Sequence, residues 1–307
     1  MAFGQQSSNT TDRRESLLSI LKDISPNTDN YFVSNLGKAP AATNTLHEWV
    51  TYNTARPTTV TASIEGDAAT YGDLDTPVRT QNATAIVSRP VRVSGTVQAI
   101  SNATGEDPMV FQKSEALKRL KADMEWLTLN GAFASGSSGV ARGLSGITGM
   151  ISTNVTARAS GTSFTETELN DILNDVWTQV GSEYVSDVIV CPMVISRRIS
   201  GFTSNLTRNI DATSKRLVNQ VRVYDSQVGQ SVMIIPHKDL NSAAGTVTVL
   251  ALREDLWKHA FLTGREPKWE ELSKDGDRDN GQYITEFTVV GFAQRGSARR
   301  TGYSTGL

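Results

Sequence analysis

The sequence predicts an α+β fold in which long extended segments bracket two helix-bearing units, and three observations carry that expectation. Leu117, Leu120, Met124 and Leu127 recur at spacings of three and four, which draws one apolar stripe along a helix over 107–131. Leu169, Ile172, Leu173, Val176, Trp177 and Val180 draw a second stripe, and the apolar run 185–191 (VSDVIVC) follows it, a helix leading into a buried strand. Thr-, Val- and Ala-rich segments at 43–99 and strand patterns at 253–292 flank both units.

Each element has its own reason. Residues 1–45 are polar and read as an arm, with a short amphipathic helix over 16–22 (SLLSILK). Strands are expected at 46–52 (LHEWVTY), 83–88 and 91–98, the last two split by Pro90. Between them, 64–78 (IEGDAATYGDLDTPV) is acidic and Gly-containing, the composition of an exposed tip. A two-stranded excursion cannot bury both faces and is marginal alone in water, so it is expected to lie on another subunit.

Asp107 caps the first long helix and Pro108 suits its first position. Lys113, Lys118, Lys121, Asp123 and Glu125 are assigned to its other faces, and Asn130-Gly131 ends it. About 24 residues at ~1.5 Å each give a rod of ~36 Å, a spine rather than a crossover. The Gly/Ser-rich stretch 131–163 reads as a link. Thr165 and Glu168 fit a capping box, Gly181 ends the second helix, and Pro192 stops the strand after it. Further strands are expected at 217–224, 231–235, 246–252 and 282–290, ahead of a basic tail with Arg295, Arg299 and Arg300.

The 307 residues make one large or two modest domains. Hydrophobic residues at 38% and charged residues at 20% are low for a compact enzyme, and imply much extended surface. Thirty Lys+Arg against 32 Asp+Glu give a formal charge of -2. That argues against a dedicated nucleic-acid binder, which needs a clear basic excess, and leaves room for loose contact with a polyanion. The single Cys191 allows neither a disulfide within the chain nor a thiolate zinc site. The start, MAFGQQSSNTTDRR, has no signal-peptide core, and no stretch nears the ~18 apolar residues of a membrane span. A reducing cytoplasm is the expected compartment.

Candidate chemistry is sparse. His47, His237 and His259 fall in separate segments with no metal spacing. Gly143-Leu144-Ser145-Gly146 has the flavour of a nucleophile elbow, but its last Gly comes one place early and no strand precedes it. The best metal candidate is Asp275, Asp277 and Asp279 with Glu286 at position twelve, the carboxylate spacing of a calcium loop. Asn280 stands where that loop needs Gly, and the flanks read as strands, so an exposed hairpin turn is preferred. Cys191 ends an apolar strand and reads as buried and inert. No catalytic, cofactor or metal residue is expected. Arg13-Arg14 and Arg299-Arg300 are open to phosphates, acidic partner loops or water alone, and acidic loops of a partner are the preferred reading. The tip offers Glu65, Asp67, Asp73 and Asp75, and Arg79 is grouped with them as an inter-subunit contact.

The order of these parts resembles the tailed-bacteriophage major capsid (major head) protein fold, in the short form without an insertion domain. The stretches 44–52 (NTLHEWVTY), 82–96 (NATAIVSRPVRVSGT), 117–131 (LKRLKADMEWLTLNG) and 256–282 (LWKHAFLTGREPKWEELSKDGDRDNGQ) carry the resemblance. It implies an N-terminal arm over 1–45, an E-loop over 46–98 and a P-domain from 99–160 and 253–292, with the spine helix at about 107–131. It further implies an A-domain over 161–252 and a tail over 293–307, the least family-like part. The implied function is structural: no enzyme and no cofactor, but a subunit that assembles into pentamers and hexamers of an icosahedral head around double-stranded DNA. Portal, scaffolding and decoration proteins are the implied partners, with loose contact to packaged DNA and no membrane. Assembly is implied in the host bacterial cytoplasm, and the finished protein in the virion. An arm this short is expected to stay in the particle, with a separate scaffolding protein. An encapsulin-like compartment shell, or another phage structural subunit, is the alternative of the same shape. Some shells of this fold join an E-loop lysine to a neighbour's asparagine. No lysine occurs between Lys38 and Lys113 here, so no such cross-link is expected.

Overall fold

A computed structural model describes residues 30–52, 62–68, 76–100, 107–202, 210–211, 216–217, 222–226, 229, 231–240 and 246–304. The expected helix at 16–22 lies outside them. The described chain opens with α1 (Tyr31–Asn35) and β1 (Gly37–Lys38), then β2 (Leu46–Thr51) and β3 (Val78–Ala83), an antiparallel hairpin pairing Leu46 with Ala83 and Thr51 with Val78. β4 (Ala85–Ser94) and the short α2 (Gly95–Ala99) lead to α3 (Pro108–Asn130). The Asp107 carboxylate accepts the Met109 N–H at 2.7 Å, and Pro108 opens the spine as expected. α4 (Ile147–Met150) and β5 (Val155–Thr162) precede α5 (Glu166–Val180), β6 (Val188–Cys191) and α6 (Met193–Phe202). The small pair β7 (Ile210–Asp211) and β8 (Arg216–Leu217) is followed by β9 (Val223–Asp225), β10 (Ser231–Pro236) and β11 (Thr246–Leu252). The chain returns through β12 (Trp257–Phe261), β13 (Lys268–Leu272) and β14 (Arg278–Gly291), and β15 (Ala298–Ser304) closes it.

Two sheets result. In the first, β14 is the long central strand, flanked by β4 on one side and by β13 and then β12 on the other, with β1 beyond β12. The second runs β5-β15-β11-β6-β10-β9. β6 reads as apolar throughout because both its faces are covered. Val188 and Val190 join the core beneath the spine, with Leu120, Met124, Leu129, Phe287 and Val289. Ile189 and Cys191 join the core under α5 and α6, with Leu169, Ile172, Ile195 and Ile199. The two-residue period of a strand thus sends alternate residues into two cores, and β11 does the same with Leu250 and Leu252 against Val249 and Ala251.

Several expectations are corrected. β4 runs straight through Pro90, which stands opposite Gln282. The strand pairs on one side only among the described residues, and an edge strand tolerates a missing N–H that faces away from the ladder. The expected strand 91–98 ends at Ser94, whose side chain caps α2. The buried face of α3 centres on Ala116, Leu120, Met124 and Thr128, leaving Leu117 and Leu127 at its margin, and it includes Glu125. The stretch 131–163 is not a loose link, because Leu144, Ile147 and Ile151 are fully buried in the first core. Its glycines permit this: a Cβ on Gly146 would come within 2.6 Å of the Leu129 carbonyl. Trp177 is half exposed rather than in the core. After Pro192 the chain forms α6, which buries Ile195 and Ile199 one turn apart. Finally, the basic tail is a central strand of the second sheet.

Arg299 and Arg300 are therefore not offered to acidic loops of a partner. The Arg300 side chain is 4% exposed and bonds two carboxylates two turns apart on one face of α5, Glu168 and, at 2.7 Å, Asp175. Arg299 donates to the Thr148 carbonyl. Thr165 does cap α5, accepting the Glu168 N–H, but the Glu168 carboxylate turns instead to Arg300, Arg158 and Tyr303. Burial works against its charge, yet those three hydrogen bonds together hold it below the usual carboxylate range.

Candidate assembly surface

The hairpin β2–β3 touches the body mainly at its root. Paired strands show the same face, so His47, Trp49 and Thr51 look with Val78, Thr80 and Asn82 toward the body, and Glu48 and Val50 look outward with Arg79 and Gln81. The outward face keeps apolar groups in water: Val50 is 65% exposed and Tyr52, just beyond β2, is 54% exposed. Such a two-stranded element lacks the buried face that would stabilise it alone.

At the root the attachment is polar and specific. The β4–β14 ladder ends at the Ala85–Phe287 pair. Past that point side chains meet the edge of β14: Asn82 Nδ2 donates to the Val289 carbonyl and Trp49 Nε1 to the Gly291 carbonyl, each at 2.9 Å. Asn82 also donates to the Ser145 carbonyl at 3.0 Å and accepts the Ser145 N–H at 2.8 Å, pairing as a backbone amide would. One residue pair further in, Glu286 is buried. Its Oε1 accepts Thr84 Oγ1 at 2.7 Å and Arg142 Nη2 at 2.8 Å, and its Oε2 lies 3.5 Å from Arg265 Nε. A buried carboxylate costs several kcal/mol unless paired and hydrogen-bonded, and here it is both.

The expected contact residues are placed as follows. Glu65 and Asp67 are exposed in a turn closed by Asp67 N–H to the Ile64 carbonyl at 3.1 Å. Arg79 is exposed and lies 3.3 Å from Glu48 across the hairpin. Arg13, Arg14, Asp73 and Asp75 fall outside the described residues. The calcium-loop candidates do not come together. Asp275 pairs with Arg278 at 2.6 Å and Asp279 with Lys274 at 2.6 Å. Asp277 packs against Gly95, whose N–H its carbonyl accepts. Glu286 lies eight residues along β14 from Arg278, about 26 Å away at a strand's rise. Among the described residues no three His, Cys, Asp or Glu side chains gather as a metal site.

The histidines are also apart. His47 stands beside Trp49, its ring centroids 6.0 Å away, and burial lowers its pKa. His237 faces Glu125, and His259 faces Thr128. Ser145 of the elbow-like segment is engaged through its backbone by Asn82, and Cys191 is buried, its thiol pushed up to about 12. Asn82, Arg142 and Glu286 as a cluster escaped the sequence reading. No local signal marked it, since Asn82 falls just before the strand expected at 83–88 and enters a strand, β3, only in the structure.

A spine helix laid across one sheet, a second sheet sharing its core, and a hairpin thrown outward from a polar root define a subunit of the phage-capsid fold. The chain belongs to the SU10 major capsid protein family, whose profile matches residues 3–304. It is thus a major capsid protein of a phage and a component of the virion. The major capsid protein of Escherichia phage Phieco32 is 23% identical, over 91% of this chain and 89% of its own. Among solved structures, the capsid of cyanophage A-1(L) superposes with a TM-score of 0.68 at 12% identity, covering 98% of this chain and 99% of that one. The SrpI encapsulin of Synechococcus elongatus PCC 7942 shares the fold at a TM-score of 0.61 and 12% identity, covering 95% and 94%. No described helix is long and apolar enough to cross a membrane.

Proposed function

We propose that this subunit builds pentamers and hexamers of an icosahedral head around double-stranded DNA, with the hairpin and the N-terminal arm bridging neighbouring subunits. The observation that carries this is the hairpin itself: two strands held at their root, with Val50, Tyr52 and Ile64 in water. Neighbouring copies supply the missing cover, and the acidic tip with Glu65, Asp67, Asp73 and Asp75 meets basic groups of the next copy, Arg13 and Arg14 first among them. The role is structural, without chemistry of its own. Portal and scaffolding proteins complete the head in the host cytoplasm, and a formal charge of -2 suits loose contact with packaged DNA, since a strongly basic wall would bind the genome by counterion release.

Negative-stain microscopy of the purified assembly tests the reading: closed icosahedral shells are expected. Charge reversal of Asp73 and Asp75 is expected to impair assembly while the chain stays soluble; normal shells from that variant would overturn the bridging role. The encapsulin likeness favours a second reading, a compartment around enzymes, which co-purified protein cargo without nucleic acid would support.

A further inference from the structure

We infer that Asn82 and Trp49 form a side-chain clamp that fixes the direction in which the hairpin leaves the body, and that this direction sets the uniformity of shell size. The inference rests on the bridging role proposed for the hairpin. It starts from where the sheet stops. Backbone pairing of β4 with β14 ends at Ala85 and Phe287. The next two carbonyls along that edge, Val289 and Gly291, bond the Asn82 amide and the Trp49 indole instead of a strand. A hairpin that continued the ladder would be forced to follow the twist of the sheet. One attached by two side chains takes the angle those side chains dictate.

The clamp also reaches the spine. Asn82 pairs with both backbone groups of Ser145, and that segment closes the end of α3. Gly146 N–H donates to the Gly131 carbonyl at 2.8 Å, and Thr148 Oγ1 donates to the Leu129 carbonyl. A Cβ on Gly131 would fall 2.6 Å from the Leu144 carbonyl, so helix end and loop are in direct backbone contact. Hairpin, β14 edge and spine terminus therefore share one buried amide. Asn82 is fully buried and its amide is engaged by Ser145 and Val289, so it acts as a positioning residue.

The test is Asn82→Ala in the full chain, read by hydrogen exchange before assembly and by particle diameters afterwards. Exchange in β2–β3 is expected to rise about tenfold or more, since three side-chain hydrogen bonds are lost at about 1 kcal/mol net each, while amides of β14 and α5 hold. Assembled particles are expected to spread in diameter. Trp49→Phe keeps the ring and removes one bond, and is expected to move both readouts the same way by less; it serves where Asn82→Ala does not fold. Unchanged hairpin exchange, an equal rise across β14 and α5, or loosened hairpins in particles of uniform size would each overturn the inference. Failure of the bridging role shows separately, as normal assembly of the Asp73 and Asp75 charge-reversal variant.

Discussion

Glu125 of the spine helix and His237, which follows β10, meet at 3.0 Å with 1% of either side chain exposed. The His237 Nδ1 accepts the Asp239 N–H at 3.2 Å, which leaves the ring proton on Nε2, directed at the carboxylate. The two Glu125 oxygens also accept the Phe32 and Val33 N–H groups, each at 2.8 Å. One buried carboxylate therefore ties the spine to α1 and to the end of β10 in the second sheet.

Removing that carboxylate strands three donors in the core. Glu125→Ala is expected to cost on the order of 3 kcal/mol or more, since each buried donor left without an acceptor costs about 1–3 kcal/mol. Glu125→Gln keeps the shape and some acceptor capacity and is expected to cost less. Urea unfolding of the unassembled chain measures both; equal, small losses would show that the contact carries little.

His259 makes stability depend on acid. The Thr128 hydroxyl donates to the Met124 carbonyl at 2.7 Å, so at 2.9 Å it accepts from His259 Nε2. Burial, opposed by the charge of Glu125, brings the ring down to about 4 from 6.5. The unfolded chain then takes up a proton that the folded chain refuses as pH falls from 6.5 to 4. Stability tied to the neutral ring is full above that window and is lost through it, on the order of 3 kcal/mol in all. Urea midpoints at pH 7 and pH 4.5 are expected to differ less in His259→Gln than in the natural chain. An identical acid response would remove His259 as the cause.

What the sequence disclosed and what it hid divide along physical lines. Both long helices were legible, because their caps and apolar periods are local. The first strand of the hairpin and its acidic, Gly-containing tip were legible, but the second strand, Val78–Ala83, was not: the strand expected at 83–88 is the start of β4. Hidden were features decided by distant partners. Glu125 looked like surface because a helix face is assigned by its majority, and nothing local announces α1 and His237 above it. Arg300 looked like a solvated tail until Glu168 and Asp175 were brought over it by α5. Asn82 and Glu286 lie 204 residues apart in number yet share the hairpin root, and no spacing rule links them.

Arg300 gives the sharpest check on that second point. A charge on a loose tail is worth little, whereas Arg300 answers two carboxylates from a buried position. Arg300→Ala is expected to destabilise the chain by about 3–5 kcal/mol. Arg300→Lys is expected to recover only part, since an ammonium cannot fork to both Glu168 and Asp175. Thermal unfolding of the unassembled chain reads this, and a loss below about 0.5 kcal/mol, normal for an exposed site, would contradict the buried strand.

The shell should hold without covalent links between side chains. A lysine-to-asparagine cross-link needs an amine on the excursion, and none occurs between Lys38 and Lys113. Cys191, the one thiol, is buried in the second core with its pKa pushed up to about 12, so it is neither exposed nor a thiolate, and a disulfide between subunits has no reactive partner. Non-covalent area suffices in principle: obligate interfaces commonly exceed about 2,000 Å² in total, and the exposed Val50, Tyr52 and Ile64 are available to contribute. Particles boiled in detergent without reductant are expected to run as one band near 33.3 kDa. A ladder of multimers would show that some other pair of side chains has reacted, and would direct the search to lysines of the spine and of β12–β13, such as Lys113, Lys258 and Lys268, as the amine donors.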